Sequence, residues 1–307
     1  MKIKIGTRGS KLALIQANLV AAKIRKEAPG TAVEIHVIKT SGDVMQDVSL
    51  LKIGGKGVFV KEIEDALLAG GIDLAVHSMK DVPGETPEGL AFCAVLPRED
   101  VRDILVSRGN VKIEFMPRGA RIGTGSLRRA AQIKAMLPDV VIVSLRGNID
   151  TRLDKIEKEN LNGIILAAAA LKRLGYFQKI TQYLPVELML PAVGQGALGL
   201  QIRETDHALA GILARLNHAP TAAEITAERA YLLALGGGCC LPIAAYGKTE
   251  GGNLFLEGMM AAPNGTIVIR DKVRGSVADA EELGRELARI ILEKGGKKLL
   301  NLCTEII

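Results

Sequence analysis

Apolar and polar positions follow two periods through the first two thirds of the chain. Lys2–Gly6 alternates as a strand does, and beyond Ser10 the residues Leu12, Ile15, Leu19 and Ala22 recur at helical spacing. Ser10 supplies the cap of that helix, which ends near Pro29-Gly30. Val33–Lys39 reads as the next strand, and Val60–Ala69 as a helix closed by Gly70-Gly71. The apolar run Leu74–Val76 breaks into a polar turn that Pro83 stops. The pattern then repeats. Strands at Arg121–Gly123, Val140–Leu145 and Gly163–Leu166 alternate with helices at Ser126–Met136, Ile149–Glu159 and Ala167–Leu174. Such alternation predicts an α/β fold of parallel sheets with helices on both faces.

The charged, apolar-poor segment Pro97–Arg102 and the stretch Pro191–Gly196 are candidate crossings between two lobes joined by a hinge. Thr221-Ala-Ala-Glu224 has the form of a capping box and opens a helix running to Leu235. The last part differs in character. Tyr246, Leu254–Met260 and Ile267–Val273 suggest short antiparallel strands, and Val277–Leu292 one helix, together a smaller α+β domain.

At 307 residues and 48% hydrophobic the chain is large enough for more than one core. Its net charge of +6 points to anionic partners. Nucleic acid fits poorly: aromatics are 3%, Trp is absent, and the basic residues stand singly or in pairs beside Gly, Ser and Thr. No apolar stretch is long enough to span a membrane, and the strand-like start leaves no signal-peptide core, so a cytoplasmic protein is expected. Cys93, Cys239, Cys240 and Cys303 form neither a disulfide framework nor a zinc spacing, and no metal is expected.

Candidate chemistry lies at turns. Lys80-Asp81 puts an ammonium beside a carboxylate at a strand end, where α/β folds bind ligands; alone it would read as a surface ion pair. Gly123–Arg129 is a glycine-rich turn entering a helix, with Arg128 and Arg129 in the first turn, where the macrodipole opposes a cation by roughly 0.3–1 kcal/mol each. A bound anion would reverse that cost. Arg8 in Thr7–Ser10 and Arg146 in Leu145–Asn148 repeat the arrangement, with Arg152 one turn further. Guanidinium forks suit a ligand with several carboxylates or phosphates. Arg173 could equally be a solvated helix end. Gly54-Gly-Lys-Gly57 lacks the rest of a P-loop; it is either a lid offering Lys52 and Lys56 to an anion or an unengaged loop. Leu235–Pro242 places thiols on a glycine-flanked turn, which alone would read as a packed helix end.

Taken together these segments resemble the porphobilinogen deaminase family. The resemblance rests on Thr7–Ser10, Gly54–Gly57, Ala75–Pro83, Gly123–Arg129, Leu145–Asn148, Ala192–Gly196 and Gly237–Cys239, in family order. It implies two hinged doubly wound lobes like periplasmic binding proteins, residues 1–99 with 197–216 and 100–196. A third, α+β domain over 217–307 would carry the cofactor cysteine. It implies a transferase that joins four porphobilinogen molecules with loss of ammonia, primed by a dipyrromethane in thioether linkage, and releases hydroxymethylbilane for tetrapyrrole biosynthesis. Proline three residues after the attachment cysteine selects Cys239; Cys240 stands where the family usually has no thiol. Lys80, Asp81, Thr124, Ser126, Arg128 and Arg129 would contact the cofactor, with Asp81 as the catalytic carboxylate. Arg8, Ser10, Arg146, Arg152, Arg173, Lys52 and Lys56 would meet substrate carboxylates. The family also implies a monomer that needs no nucleic acid or membrane.

Overall fold

The computed structural model describes residues 1–41, 60–237 and 241–304, the last three of them by backbone alone. The chain divides into two compact units, residues 1–99 with 196–223 and residues 100–195 with 224–307.

The first unit is built on a five-stranded sheet. Its elements are β1 (Lys2–Thr7), α1 (Lys11–Glu27), β2 (Ala32–Val37), α2 (Lys61–Leu68), β3 (Leu74–Ser78), β4 (Leu90–Val95), β10 (Leu198–Arg203) and α6 (His207–Leu213). Strand order is β2-β1-β3-β10-β4. Pairing of β1 with β2 and β3 is parallel, whereas β10 runs antiparallel to both neighbours. Alternate residues of β3 face opposite layers. Leu74 and Val76 join Ala17, Val20 and Ile24 of α1 and Leu209 and Leu213 of α6, while Ala75 packs on Ile63 and Leu67 of α2.

The second unit holds a sheet of the same plan. It comprises β5 (Asp103–Ser107), β6 (Arg121–Gly123), α3 (Leu127–Met136), β7 (Val141–Val143), α4 (Ile149–Lys158), β8 (Gly163–Ala167), α5 (Ala168–Leu174) and β9 (Gln182–Leu184). The order is β7-β6-β8-β5-β9, with β5 the antiparallel insert. Ile104, Val106, Ile164 and Leu166 bury against α4 and α5; Leu105 and Ile165 bury with Ile133 of α3. Helix α7 (Ala219–Ala234) leads to an antiparallel sheet of β11 (Ile243–Glu250), β12 (Asn253–Ala261) and β13 (Val268–Ser276). Helices α8 (Ala280–Ile291) and α9 (Lys297–Thr304) follow. Tyr231 of α7 is fully buried over Gly258, where a Cβ would sit 2.8 Å from its ring.

Two expectations need correction. The sheets are mixed, not parallel: β10 and β5 enter each sheet from distant sequence, and a pattern of consecutive strand–helix units does not register them. The capping box is also displaced. Helix α7 starts at Ala219, and His218 Nδ1 accepts the Thr221 N–H at 3.3 Å. Thr221 Oγ1 instead accepts the Arg98 N–H, and Glu224 accepts from the Thr249 N–H and hydroxyl at 3.0 and 2.9 Å.

Candidate functional site

In the first unit, parallel pairing brings the carboxyl ends of β1 and β3 to one sheet edge. Strand β3 stops at Ser78 and tightens into a single 3-10 turn, Met79–Asp81, closed by a 3.2 Å bond from the Val82 N–H to Met79 O. Incoming β10 fixes the turn, since the Met79 N–H donates to Ala197 O at 3.1 Å. Gln16 of α1 donates to Ser78 Oγ at 3.1 Å. The turn exposes Lys80 and Asp81, and the Asp81 carboxylate has no hydrogen-bond or ion-pair partner among the described residues. Strand β1 delivers the half-buried Arg8 to the same edge, and Ser10 caps α1 by accepting the Ala13 N–H at 3.3 Å.

The strand-end edge of the second unit is more heavily wired. Strand β6 runs into Thr124-Gly125-Ser126; Thr124 Oγ1 accepts the Ser126 N–H at 3.2 Å, and Ser126 Oγ caps α3. Gly125 is obligatory, because a Cβ there would stand 2.5 Å from Leu145 O. That close approach also brings Arg146 Nη1 within 3.9 Å of the same point. Arg152 reaches back to Gly147 O through Nε at 2.7 Å, and Asn148 caps α4. Arg173 lies in the last turn of α5, half-buried, before the left-handed Gly175.

Arg128 and Arg129 are buried, and the anion that offsets their cost is internal. Asp103, at the head of β5 and wholly inaccessible, accepts from Arg128 Nη1 at 2.7 Å and from Arg129 Nη2 and Nε at 2.7 and 3.0 Å. Leu190 O and Ile165 O take further bonds from the two guanidiniums, and Gln195 Nε2 donates to Asp103 at 2.9 Å. Burial pushes the Asp103 pKa up, but the two guanidiniums outweigh it and hold the carboxyl well below the usual range. Two cations on one carboxylate leave the cluster at +1. With the α3 dipole, it keeps the surrounding edge positive.

Lys52, Lys56, Cys239 and Cys240 lie outside the described residues. Helix α7 ends at Gly236 and Gly237, at φ +83° and +77°, whose N–H groups cap Leu233 O and Leu232 O. Sequence reasoning missed Asp103, Gln195 and His77. An acid heading the apolar run Ile104-Leu-Val106 was the available signal for Asp103, because a charge there demands a buried counterion. Among the described residues no cluster could hold a metal ion, and no helix is long and apolar enough to cross a membrane.

An exposed acid beside an ammonium on one strand edge, and a cation-rich edge on a second sheet, have the chemistry to meet small polyanionic compounds. Comparison with known proteins narrows that reading. A family profile described as "Porphobilinogen deaminase, dipyromethane cofactor binding domain" matches residues 3–211, and the C-terminal domain of the same family matches residues 222–293. The porphobilinogen deaminase of Syntrophus aciditrophicus is 53% identical over 298 residues, 97% of each chain. That of Geobacter metallireducens is 51% identical, over 97% of this chain and 94% of the relative. The chain belongs to the porphobilinogen deaminase family. Among solved structures, a TRAP periplasmic solute binding protein from Desulfovibrio salexigens is 9% identical, with a TM-score of 0.43 over 71% of this chain and 72% of its own.

Proposed function

We propose that this chain is a porphobilinogen deaminase that condenses four porphobilinogen molecules head to tail, releasing ammonia at each step and linear hydroxymethylbilane at the end. The observation that supports this most is Asp81, an exposed carboxylate without a partner among the described residues, on a hydrogen-bonded turn beside Lys80, in a chain matched nearly end to end by deaminases. Porphobilinogen is a pyrrole with acetate, propionate and aminomethyl groups. Loss of its ammonia leaves a cation, which a fixed carboxylate stabilises while accepting the ring N–H. The aminomethyl group leaves as ammonia from its ammonium form, and the same carboxylate can take up the proton that the attacking ring carbon releases once the new C–C bond has formed. Pairing Asp81 with an internal cation would have spent that capacity.

The donors present fit a dipyrromethane cofactor. Its four carboxylates call for cations and hydroxyl donors, which Lys80, Thr124, Ser126 and the net-positive cluster around Arg128 and Arg129 would supply. When bound, that group supplies the nucleophilic pyrrole carbon from which the product chain grows. Cys239 is the proposed thioether anchor, with the C-terminal residues 217–307 as its domain. Arg8, Ser10, Arg146, Arg152 and Arg173, with Lys52 and Lys56, would bind the two carboxylates that each condensation adds. A monomer acting in the cytoplasm is the corresponding reading of assembly and location. Electrospray mass of the denatured protein tests the assignment. A dipyrromethane-sized adduct abolished by Cys239→Ser but kept in Cys240→Ser is expected; its absence from the wild-type chain, with porphobilinogen left unconsumed, would refute it.

A further inference from the structure

The turn that carries Asp81 is gripped from below by a contact with no part in ligand binding. Met79 is 2% exposed and lies across Gly199 of β10; a Cβ at Gly199 would clash with Met79 Sδ and stand 2.9 Å from Cδ1 and Cε1 of Phe92. Phe92 in turn meets the ring of His77 edge-on, with centroids 5.9 Å apart. His77 is buried at β3, four residues before Asp81, and its Nε2 lies 2.9 Å from Gln201 Oε1. Gln201 Nε2 continues to Glu64 Oε1 at 2.9 Å, so Nε2 of His77 carries the proton and donates. Glu64, Gln201 and His77 thus fix the Phe92 ring, and the ring and the bare face of Gly199 leave one slot for Met79.

We infer that Gly199 and Met79 form a positioning clasp that sets the aim of Asp81, with His77–Gln201–Glu64 as its hydrogen-bonded base. A side chain at Gly199 forces the Met79 thioether to shift, and Met79 is the first residue of the same three-residue turn that ends in Asp81. Displacement of the one is therefore transmitted to the other within a single 3-10 turn. This rests on the reading of Asp81 as the catalytic carboxylate; turnover by the wild-type chain tests that reading separately.

The test is a double-mutant cycle on the full-length protein with Gly199→Ala, Met79→Ala and both together, read by kcat, KM, adduct mass and melting temperature. Each single variant is expected to lose at least tenfold in kcat with KM within about twofold and the adduct retained. The double variant regains most of the loss, because the new methyl occupies the space that Met79 vacates. If Gly199→Ala does not fold, Met79→Ala and the double variant still decide. Wild-type kcat in Met79→Ala, or losses that simply multiply in the double variant, would overturn the clasp.

Discussion

The two sheets share one strand plan, yet they treat the acid at their strand ends in opposite ways. Asp81 in the first unit is exposed and unpaired among the described residues, whereas Asp103 in the second is sealed and satisfied by two guanidiniums and an amide. A buried carboxylate bound to two cations is ill placed to serve a reaction, because protonating it or moving its partners would expose uncompensated charge. What it does is hold two arginines at the foot of α3 against the helix dipole. An exposed carboxylate costs the fold little and keeps its lone pairs for substrate. Chemistry goes to the acid that structure does not need.

Substitutions at the two acids should therefore separate activity from stability. Asp81→Asn is expected to abolish turnover nearly completely, at least a tenfold loss in kcat or ~1.4 kcal/mol of barrier, while the unfolding free energy changes by less than about 0.5 kcal/mol. Asp103→Asn should do the reverse. It strands two buried guanidiniums and should cost about 3–5 kcal/mol in urea unfolding. Arg146→Lys keeps the charge beside Gly125 but loses the planar fork; a rise of about tenfold in KM, ~1.4 kcal/mol, should follow, with stalled elongation products visible by mass.

The smallest effect concerns Asp100, whose carboxylate meets Arg102 Nη2 at 2.7 Å and Lys172 Nζ at 3.0 Å. Burial raises its pKa, but the bonds from Arg102 and Lys172 prevail and set it at about 2, below the ordinary 3.8. A depressed folded value means the stabilisation is complete above about pH 4 and is lost as pH falls through about 2. Asp100→Asn should flatten that acid limb by about 1 kcal/mol, a modest figure because Arg102 is 41% exposed.

Legibility in the sequence followed the range of the interactions. Helix α3 and strand β6 were found within a residue because their signals, the Ser126 cap and the short apolar run, are local. The mixed sheets were not, since β10 pairs with β3 across more than a hundred residues that carry no local mark of the pairing. The turn around Asp81 could be read because Pro83 and the polar break punctuate it. The partner of Arg128 and Arg129 could not: dipole physics required an anion, but whether a ligand or Asp103 would supply it depends on where β5 lies in the fold. Likewise, His77 stood within a segment that carried the family resemblance, yet its bond to Gln201 exists only once β10 is in place.

One mass measurement bears on all of this most directly. Wild-type protein and Asp81→Asn are incubated with porphobilinogen, denatured and weighed by electrospray. Wild type should start above its bare chain mass and climb in single-pyrrole steps, while Asp81→Asn, equally folded, stays at its starting mass. A wild-type chain at bare mass, or an Asp81→Asn ladder that climbs at the wild-type rate, would contradict the division of labour between the exposed and the buried acid.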